Sequence, residues 1–340
     1  MKELCVIGHP STVGGADTEL DHQIRCWQAM GIKVHICHTG DLTAELRAMG
    51  LERRGCVYHR PRDWASVDGL HCISYCNGEF LKALPEIKKH ARSTTFVNCM
   101  TFNFDLEVQR HAEGLIDFHL YQTRHAFDRV SPKLAAATSA VYRPLFAVPY
   151  FDAEAFPFVE SRPDDRFRFG RLSRHDPAKF AQGQLWIYET MTAPVPKAGL
   201  VMGWGAEVEA KFGRRPETYI SVVDAGWLPQ QDFYRFCDAV IMSTDTFENL
   251  PRVGMEAMAA GSVLVVDRRG GWELLVDNGV TGWLCADQRE FVYRASRLAF
   301  ETEERQAFRL AAREKLVSQY GFDAASKTWE EVFARWAKLH

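Results

Sequence analysis

Short runs of β-branched and aromatic residues alternate with longer segments of helical periodicity along this chain of 340 residues. Strands that are apolar throughout and joined by helices are typical of a parallel α/β sheet, because crossover helices cover both of its faces. Eleven runs are predicted to be strands: 4–9, 33–38, 56–59, 71–76, 94–99 and 118–122 in the first half, and 166–173, 200–205, 219–226, 238–244 and 262–267 in the second.

The two series of strands are separated by YFDAEAFPFVESRPDDRF (150–167), which is rich in Pro, Asp and aromatic residues. We therefore predict an α/β protein of two Rossmann-like, doubly wound domains, residues 1–155 and 156–340, facing across a cleft. The chain is long enough for two such cores. The closing segment SKTWEEVFARWAKLH has an amphipathic pattern and is predicted to be a packing helix of the second domain.

Composition excludes several classes of protein. The formal net charge of −3 gives no reason to expect nucleic acid as a partner. No apolar run is long enough to span a membrane, and MKELCVIGHP lacks a secretory signal, so a cytoplasmic protein is predicted. Nine scattered cysteines are expected to be reduced and mostly buried. The predicted helix LKALPEIKKHAR (81–92) has a basic side. The favoured interpretation is a helix face exposed to solvent, and weak peripheral contact with a membrane is the alternative.

The stretch TDTFENLPRVGMEAMAAG (244–261) carries two glutamates in a largely apolar context. Pro251 belongs in the first turn of a helix, with Asn249 as a plausible N-cap and Gly261 as the end. Glu248 then lies in the strand-to-helix loop, and Glu256 lies inside the helix. A lone buried carboxylate is costly unless it accepts hydrogen bonds.

Two interpretations of these glutamates are equally compatible with this stretch. A ribose diol offers two hydroxyl donors to one carboxylate, and the adjoining helix N-terminus favours a diphosphate. Alternatively, Glu256 forms a structural salt bridge with a buried Arg or Lys, and Glu248 is a solvated loop acid.

Two further segments favour the nucleotide interpretation. DRRGGWELLVDNGVTGW (267–283) places Gly270 and Gly271 after a strand, where backbone could approach a ligand closely or simply turn. RFRFGRLSRHDPAKF (166–180) places Arg171, Arg174 and Lys179 just beyond another strand, where guanidinium and ammonium groups suit a diphosphate. A solvated basic loop is the alternative.

The first strand is followed by HPSTVGGADTEL (9–20), in which Gly14 and Gly15 leave bare backbone amides at the start of a helix. Such amides suit an anion or a sugar, although turn geometry alone would also explain the two glycines. The segment lacks the G-x-G-x-x-G pattern of dinucleotide-binding proteins, which argues against an NAD-dependent dehydrogenase.

Taken together, these motifs resemble the retaining glycosyltransferases of family four, the group 1 enzymes with the GT-B fold. The resemblance covers nearly the whole chain in order. It includes the Gly-Gly loop after the first strand, the GRLSR segment with its following Lys, the GWLP turn (226–229), and ENLPRVGMEAMAAG followed by GGWELLVDNGVTGW. The two glutamates, separated by seven residues, are its most specific element.

The resemblance implies an acceptor-side domain (1–155), a donor-binding domain (156–340) and a role for each site residue. Glu248, Arg171 and Lys179 would be catalytic, with Glu248 beside the transferred hexose and the two cations on the diphosphate. Glu256 is expected to bind the donor ribose, and Trp227 and Leu228 are expected to contact the base. The diphosphate is expected to be held by the backbone amides of Asn249 and Leu250, with Arg174 as a further cation. Gly14 and Gly15 would approach the diphosphate or the acceptor from the first domain.

This sequence departs from the family pattern in two places. Arg171 and Lys179 are eight positions apart, wider than is common, so Arg174 could share or take over a phosphate contact. Many members carry a His after the strand that here reads TTFVNCMTFNF, and Asn98 and Thr101 stand in that region instead. The acceptor-side residues are therefore not identified.

The resemblance implies metal-independent, retaining transfer of a sugar from a nucleoside diphosphate sugar, such as a UDP-sugar or GDP-sugar, with no cofactor. The acceptor, whether glycan, lipid or small molecule, is not indicated, nor is the oligomeric state. A nucleotide-sugar epimerase, a phosphorylase on the same fold, and a non-catalytic nucleotide-sugar-binding protein are the alternatives.

Overall fold

The computed structural model describes residues 1–8, 15–40, 55–137, 139–163 and 165–339. They form two compact units. Unit 1 comprises Met1–Phe151 and Gln319–His340, and unit 2 comprises Asp152–Ser318. Gly14 lies outside the described residues.

Unit 1 contains a seven-stranded parallel sheet in the order β3-β2-β1-β4-β5-β6-β7. Its central strands are buried on both faces, as expected where helices cover a parallel sheet. The strands are β1 (Glu3–Ile7), β2 (Lys33–Cys37), β3 (Val57–His59), β4 (His71–Tyr75), β5 (Ser93–Val97), β6 (Phe118–Tyr121) and β7 (Pro144–Phe146).

The described helices of unit 1 are α1 (Gly15–Ala29), α2 (Gly78–Ile87), α3 (Asp105–Ala112) and α4 (Arg124–Ala135). Side-chain caps fix two of their starts, since Asn77 accepts from the backbone N–H of Phe80 and Thr123 accepts from that of Ala126. A 3₁₀ turn spans Trp64–Val67.

Unit 2 contains a six-stranded parallel sheet in the order β10-β9-β8-β11-β12-β13. The strand order reverses beside β8, so the loops after β8 and β11 flank the topological switch point where ligands bind in such sheets. The strands are β8 (Phe167–Leu172), β9 (Lys197–Met202), β10 (Ile220–Val223), β11 (Ala239–Met242), β12 (Val263–Asp267) and β13 (Gly282–Cys285).

Helices follow each strand of this second sheet. They are α5 (Gln184–Thr190), α6 (Ala206–Phe212), α7 (Gln230–Phe236), α8 (Arg252–Ala260), α9 (Gly271–Leu275), α10 (Gln288–Phe300) and α11 (Thr302–Tyr320). Two 3₁₀ turns, Ala153–Ala155 and Pro177–Lys179, complete the unit. Its core joins the sheet to α5 and α10.

The last helix, α12 (Phe322–Ala337), belongs to unit 1. It buries Trp329 and Trp336 in the same core as Trp27 of α1, and the rings of Trp27 and Trp329 meet edge to face at 4.9 Å. The sequence-based domain limits need correction here: the chain divides after Phe151 rather than near residue 155, and residues 319–340 pack with the first sheet. The amphipathic pattern predicts a packing helix but does not say which core receives it.

The predicted fold class, two doubly wound parallel α/β sheets, is confirmed. The nine cysteines are free thiols, and seven of them are buried. Across the described ranges, no helix combines the length and apolar character needed to cross a bilayer.

Candidate functional site

The two glutamates lie in different environments, one in the loop between β11 and α8 and the other inside α8. Helix α8 begins at Arg252, with Pro251 as its N-cap residue, and Gly261 ends it in the left-handed conformation at φ 76°. The predicted end is therefore confirmed, whereas Asn249 is not the cap. Pro251 has extended backbone (ψ 108°), so the helix cannot start before it. Glu248 lies in the loop and Glu256 inside the helix, as predicted.

Lys179 and Glu248 form an ion pair beyond the carboxyl ends of β8 and β11. The Lys179 Nζ to Glu248 Oε1 distance is 2.6 Å, and Thr246 Oγ1 donates to the same oxygen at 3.1 Å. Lys179 ends the 3₁₀ turn that starts at Pro177, where Asp176 caps the turn by accepting from Ala178 N–H. Both side chains of the pair are about one-fifth exposed (21% and 19%), so an incoming ligand can reach them.

Arg171 is fully buried, and the protein binds both of its terminal nitrogens, whereas its Nε has no hydrogen-bond partner among the described residues. Its guanidinium donates to Gln184 Oε1 at 2.7 Å, to the Ser243 carbonyl at 3.3 Å and to the Lys179 carbonyl. It also lies 3.8 Å from the centre of the Phe180 ring. Burial lowers the pKa of Arg171 to about 10, so the group stays charged at neutral pH. This geometry does not form the predicted direct contact with a diphosphate. Arg171 instead holds the backbone that presents Lys179.

Arg174 and the turn after β10 are accessible. Arg174 is exposed, and its side chain forms no ion pair with any residue of the described ranges. Trp227 is 69% exposed, Leu228 is half-buried, and Gly226 before them has φ 79°. An exposed indole at a strand end suits stacking on a flat ring. The predicted base contact of Trp227 and Leu228 is thus sterically open and stays a prediction.

Glu256 is 1% exposed, and Tyr234 Oη donates to its Oε2 at 2.7 Å. Burial raises the pKa of Glu256 to about 7, while the Tyr234 hydrogen bond and the charge of Arg252 act in the opposite direction. The carboxyl group is therefore poised between its neutral and ionised forms at neutral pH.

Gly270 and Gly271 pack against the loop that carries Glu248. Gly271 N–H donates to the Glu248 carbonyl at 2.8 Å, and a Cβ on Gly271 would lie 1.8 Å from the Asn249 carbonyl oxygen. Gly270 adopts φ 63°, and a Cβ there would lie 2.7 Å from the Glu248 carbonyl oxygen. The two glycines were expected to let backbone approach a ligand. Their observed contact is with the glutamate loop, which they hold in place.

The corresponding edge of unit 1 is occupied by structural contacts. Asn98 follows β5 and donates to the Phe102 carbonyl at 3.0 Å and to Glu107 Oε2 at 2.9 Å. Glu107, fully buried in α3, also accepts from Phe104 N–H at 3.1 Å. Gly15 is the first residue of α1. The predicted contact of Gly14 and Gly15 with a diphosphate or an acceptor therefore stays a prediction, and Gly14 itself lies outside the described residues.

Three contributors to the site were not predicted from the sequence. Tyr234 in α7 binds Glu256, Thr246 binds Glu248, and Gln184 at the start of α5 binds Arg171. Thr246 lies two positions before Glu248, so the motif itself could have indicated it. Tyr234 and Gln184 approach from distant parts of the chain and carry no local signal. Within the part of the chain that the structure describes, no cluster of three or more His, Cys, Asp or Glu side chains could hold a metal ion.

Residues 168–300 match the family model described as "Glycosyl transferases group 1". A lipopolysaccharide 1,2-N-acetylglucosaminetransferase from Salmonella typhimurium is 27% identical over 119 residues, covering 34% of this chain and 31% of that protein. The chain spans about a third of the length of the curated relatives it matches.

Solved structures resemble the chain over nearly its full length. The Anabaena protein HepE in complex with UDP and glucose has a TM-score of 0.72 at 14% identity, covering 98% of this chain and 100% of that one. The sucrose-phosphate synthase of Thermosynechococcus elongatus has a TM-score of 0.72 at 11% identity, covering 98% and 99%. The sequence-based resemblance is thus supported where it can be compared: residues 168–300 match the model of the group 1 glycosyltransferases, and the fold of the chain is GT-B.

Proposed function

We propose that this protein transfers a sugar from a nucleoside diphosphate sugar to an acceptor, with retention at the anomeric carbon and without a metal ion. The observation that carries the proposal is the accessible Lys179–Glu248 pair beside the start of α8, with Glu256 buried in the same helix. The family of residues 168–300 supports it. HepE bound to UDP-glucose makes UDP the first nucleotide to test.

Lys179 would stabilise the leaving group. Negative charge grows on the diphosphate as the bond to the sugar breaks, and a fixed cation aimed at that charge lowers the barrier. The N-terminal backbone amides of α8 point at the same region and add partial positive charge. Arg174, exposed on the preceding loop, supplies a second cation within the described residues. These groups supply the charge that a metal ion provides in other transferases.

Glu256 would hold the ribose. An ionised carboxylate accepts hydrogen bonds from two neighbouring hydroxyls, and the pKa of about 7 allows ionisation at neutral pH. Tyr234 fixes the position of Oε2 by donating to it at 2.7 Å. Trp227 and Leu228 would cover one face of the base.

Glu248 would contact the transferred sugar. In the unliganded protein it is held by Lys179 and Thr246. A bound diphosphate would compete for Lys179 and leave the carboxylate free to accept from sugar hydroxyls. Retention requires either a protein nucleophile or attack by the acceptor on the face of the sugar that the phosphate leaves. Among the described contacts no carboxylate is placed as such a nucleophile, so we propose attack on the same face. The acceptor hydroxyl then gives its proton to the departing phosphate oxygen, and a glycan, a lipid or a small molecule could supply that hydroxyl.

Thermal unfolding with UDP, GDP, ADP and TDP tests donor binding, because a ligand of the folded state raises the midpoint. We expect one nucleoside diphosphate to raise it clearly more than the others. Lys179→Met and Glu256→Gln should each reduce that rise. If none of the four shifts the midpoint, or if both variants respond as the wild type does, the proposed donor site is wrong.

A product assay then separates the transferase from its alternatives. The matching UDP-sugar, or other nucleotide sugar, is incubated with and without a pool of glycan and lipid acceptors. A transferase releases nucleoside diphosphate faster when acceptor is present. An epimerase changes the donor without any acceptor, and a non-catalytic binding protein leaves it intact.

A further inference from the structure

A cavity lies within unit 2, and its lining does not include the residues assigned to the donor. Its volume is about 670 Å³, within the range of about 300–1,000 Å³ usual for small-molecule sites. It opens at the carboxyl ends of β11, β12 and β13 and is bounded by the starts of α5 and α10. Neither Lys179, Glu248 nor Glu256 lines it.

The three carboxylates in its wall are already satisfied by the protein. Asp267 accepts from Thr244 N–H at 2.7 Å, and Asp245 pairs with Lys211 at 2.7 Å. Asp287 caps α10 by accepting from Glu290 N–H at 2.9 Å. Each of these acids therefore has at least one partner within the protein that holds it in place.

The guanidinium groups of the wall are bound more loosely. Arg269 lies 3.7 Å from Asp267, and Arg268 lies 3.7 Å from Glu290, both beyond hydrogen-bond distance, although Arg268 also donates to the Leu284 carbonyl at 3.2 Å. Arg289 is exposed, and its side chain forms no ion pair within the described ranges. The wall thus carries three carboxylates and three guanidinium groups, and the guanidinium of Arg289 is the one that has no ion-pair partner among the described residues.

One wall of the cavity is an exposed indole. Trp186 of α5 is 43% exposed although it lines a concave surface. Gln288 lies opposite the start of α5, packed directly on Gly183, where a Cβ would come within 2.0 Å of the amide carbon of Gln288. The cavity therefore combines a flat apolar face with amide and guanidinium donors.

We propose that this cavity binds a saccharide that carries one acidic group, either phosphate or carboxylate. The apolar face of a pyranose ring packs on an indole, and its hydroxyls accept from amide and guanidinium groups. Arg289 and Arg269 bind the acidic group, since guanidinium matches the geometry of both phosphate and carboxylate. The cavity shares no lining residue with the proposed donor site, and the proposal extends the protein's function to recognition of a second sugar.

Titration calorimetry with glucose 6-phosphate, glucuronate, methyl α-glucoside and inorganic phosphate tests the proposal. Both acidic sugars, or one of them, should bind more tightly than the glucoside and than phosphate. Trp186→Ala should weaken that binding at least about tenfold, and Arg289→Met should weaken it while sparing the glucoside. Phe300→Ala, which removes another exposed aromatic side chain of unit 2 (54% exposed), should change nothing.

The same titration with saturating UDP separates this site from the donor site. Unchanged affinity with UDP supports two sites, and failure of UDP to bind would count against the donor site alone. The proposal is overturned if no acidic sugar binds, if phosphate binds as tightly as the sugars, if UDP competes, or if Trp186→Ala binds like the wild type. Circular dichroism of each variant confirms that it is folded.

Discussion

The carboxyl edges of the two sheets place polar side chains in opposite ways. After β5 in unit 1, Asn98 and Glu107 bind each other and the intervening backbone, and both are buried. After β11 in unit 2, Lys179 and Glu248 also bind each other, but each keeps about one-fifth of its side chain exposed. A polar group that is hydrogen-bonded and enclosed stabilises the fold, whereas one that is hydrogen-bonded and still accessible can exchange its partner for a ligand.

The same distinction separates two cations of unit 2. Arg171 has three protein acceptors and an aromatic ring around it, whereas Arg174, three residues later, is exposed. A basic residue in a motif is therefore not by itself a ligand contact. Accessibility decides whether it acts on the ligand directly or through the loop it holds.

Replacing Lys179 with Met should produce the largest effect on function. Loss of a fixed cation at the leaving group should reduce turnover of the nucleotide sugar about a hundredfold or more, because removal of one preorganised stabilising group costs about 10²–10³ in rate. Turnover measured at saturating donor separates this effect from weaker binding.

Lys179→Arg, which keeps the charge, should recover part of the rate. The unfolding midpoint of both variants should stay near that of the wild type, because the ammonium is partly exposed. A Lys179→Met enzyme with wild-type turnover would show that this edge of unit 2 is no more functional than that of unit 1.

Replacing Arg171 with Met should lower the free energy of unfolding by about 3 kcal/mol. The change removes the donor of the Lys179 carbonyl and one of the two donors of both Gln184 Oε1 and the Ser243 carbonyl, which keep the N–H groups of Ser243 and Ala181. It also removes a buried cation from the face of the Phe180 ring, and lost buried interactions of this kind are costly. The matched change Arg174→Met should leave stability within about 0.5 kcal/mol, as is usual on the surface. Urea denaturation measures both. Equal effects of the two variants would contradict the distinction drawn between them.

Replacing Glu107 with Ala should lower the free energy of unfolding by about 2 kcal/mol and leave UDP affinity unchanged. The Asn98 amide and Phe104 N–H lose their acceptor in a buried setting, while the groups proposed to hold the donor belong to unit 2. Glu113→Ala, in the C-cap of the same helix, is the control, since Glu113 pairs with Arg110 at the surface. A loss of UDP affinity in Glu107→Ala would assign the unit 1 edge to the donor site.

The sequence patterns predicted those features of the fold and of the site that depend on residues close together in the chain. The parallel sheets follow from apolar runs and intervening helices, and the end of α8 at Gly261 follows from the left-handed conformation that glycine favours. The positions of Glu248 in a loop and Glu256 in a helix follow from Pro251 alone. These features depend on residues within one turn or one strand of each other.

What the patterns missed depends on contacts between distant segments. Arg171 is buried because Gln184 and the Ser243 carbonyl lie around it, and neither position is evident from its neighbours. Gly271 accommodates the Asn249 carbonyl, twenty-two positions earlier, rather than a ligand. Helix α12 packs with the first sheet because its tryptophans meet Trp27. Packing of this kind is set by the fold and not by sequence spacing.

The smallest expected effect, and a sharper test of Glu256, is the pH dependence of donor binding. The pKa of this carboxyl is about 7, above its ordinary value of 4.5, so it is neutral below that pH and ionised above it. Hydroxyl donors bind the ionised form better. Affinity for a UDP-sugar, whose diphosphate does not titrate in this range, should therefore rise up to about tenfold between about pH 6 and about pH 8, as the ionised share grows from roughly one-tenth to roughly nine-tenths. Glu256→Gln should bind more weakly and show no such rise. If the variant keeps the wild-type pH dependence, another group titrates, and Glu256 belongs with Glu107 among the enclosed acids that stabilise the fold.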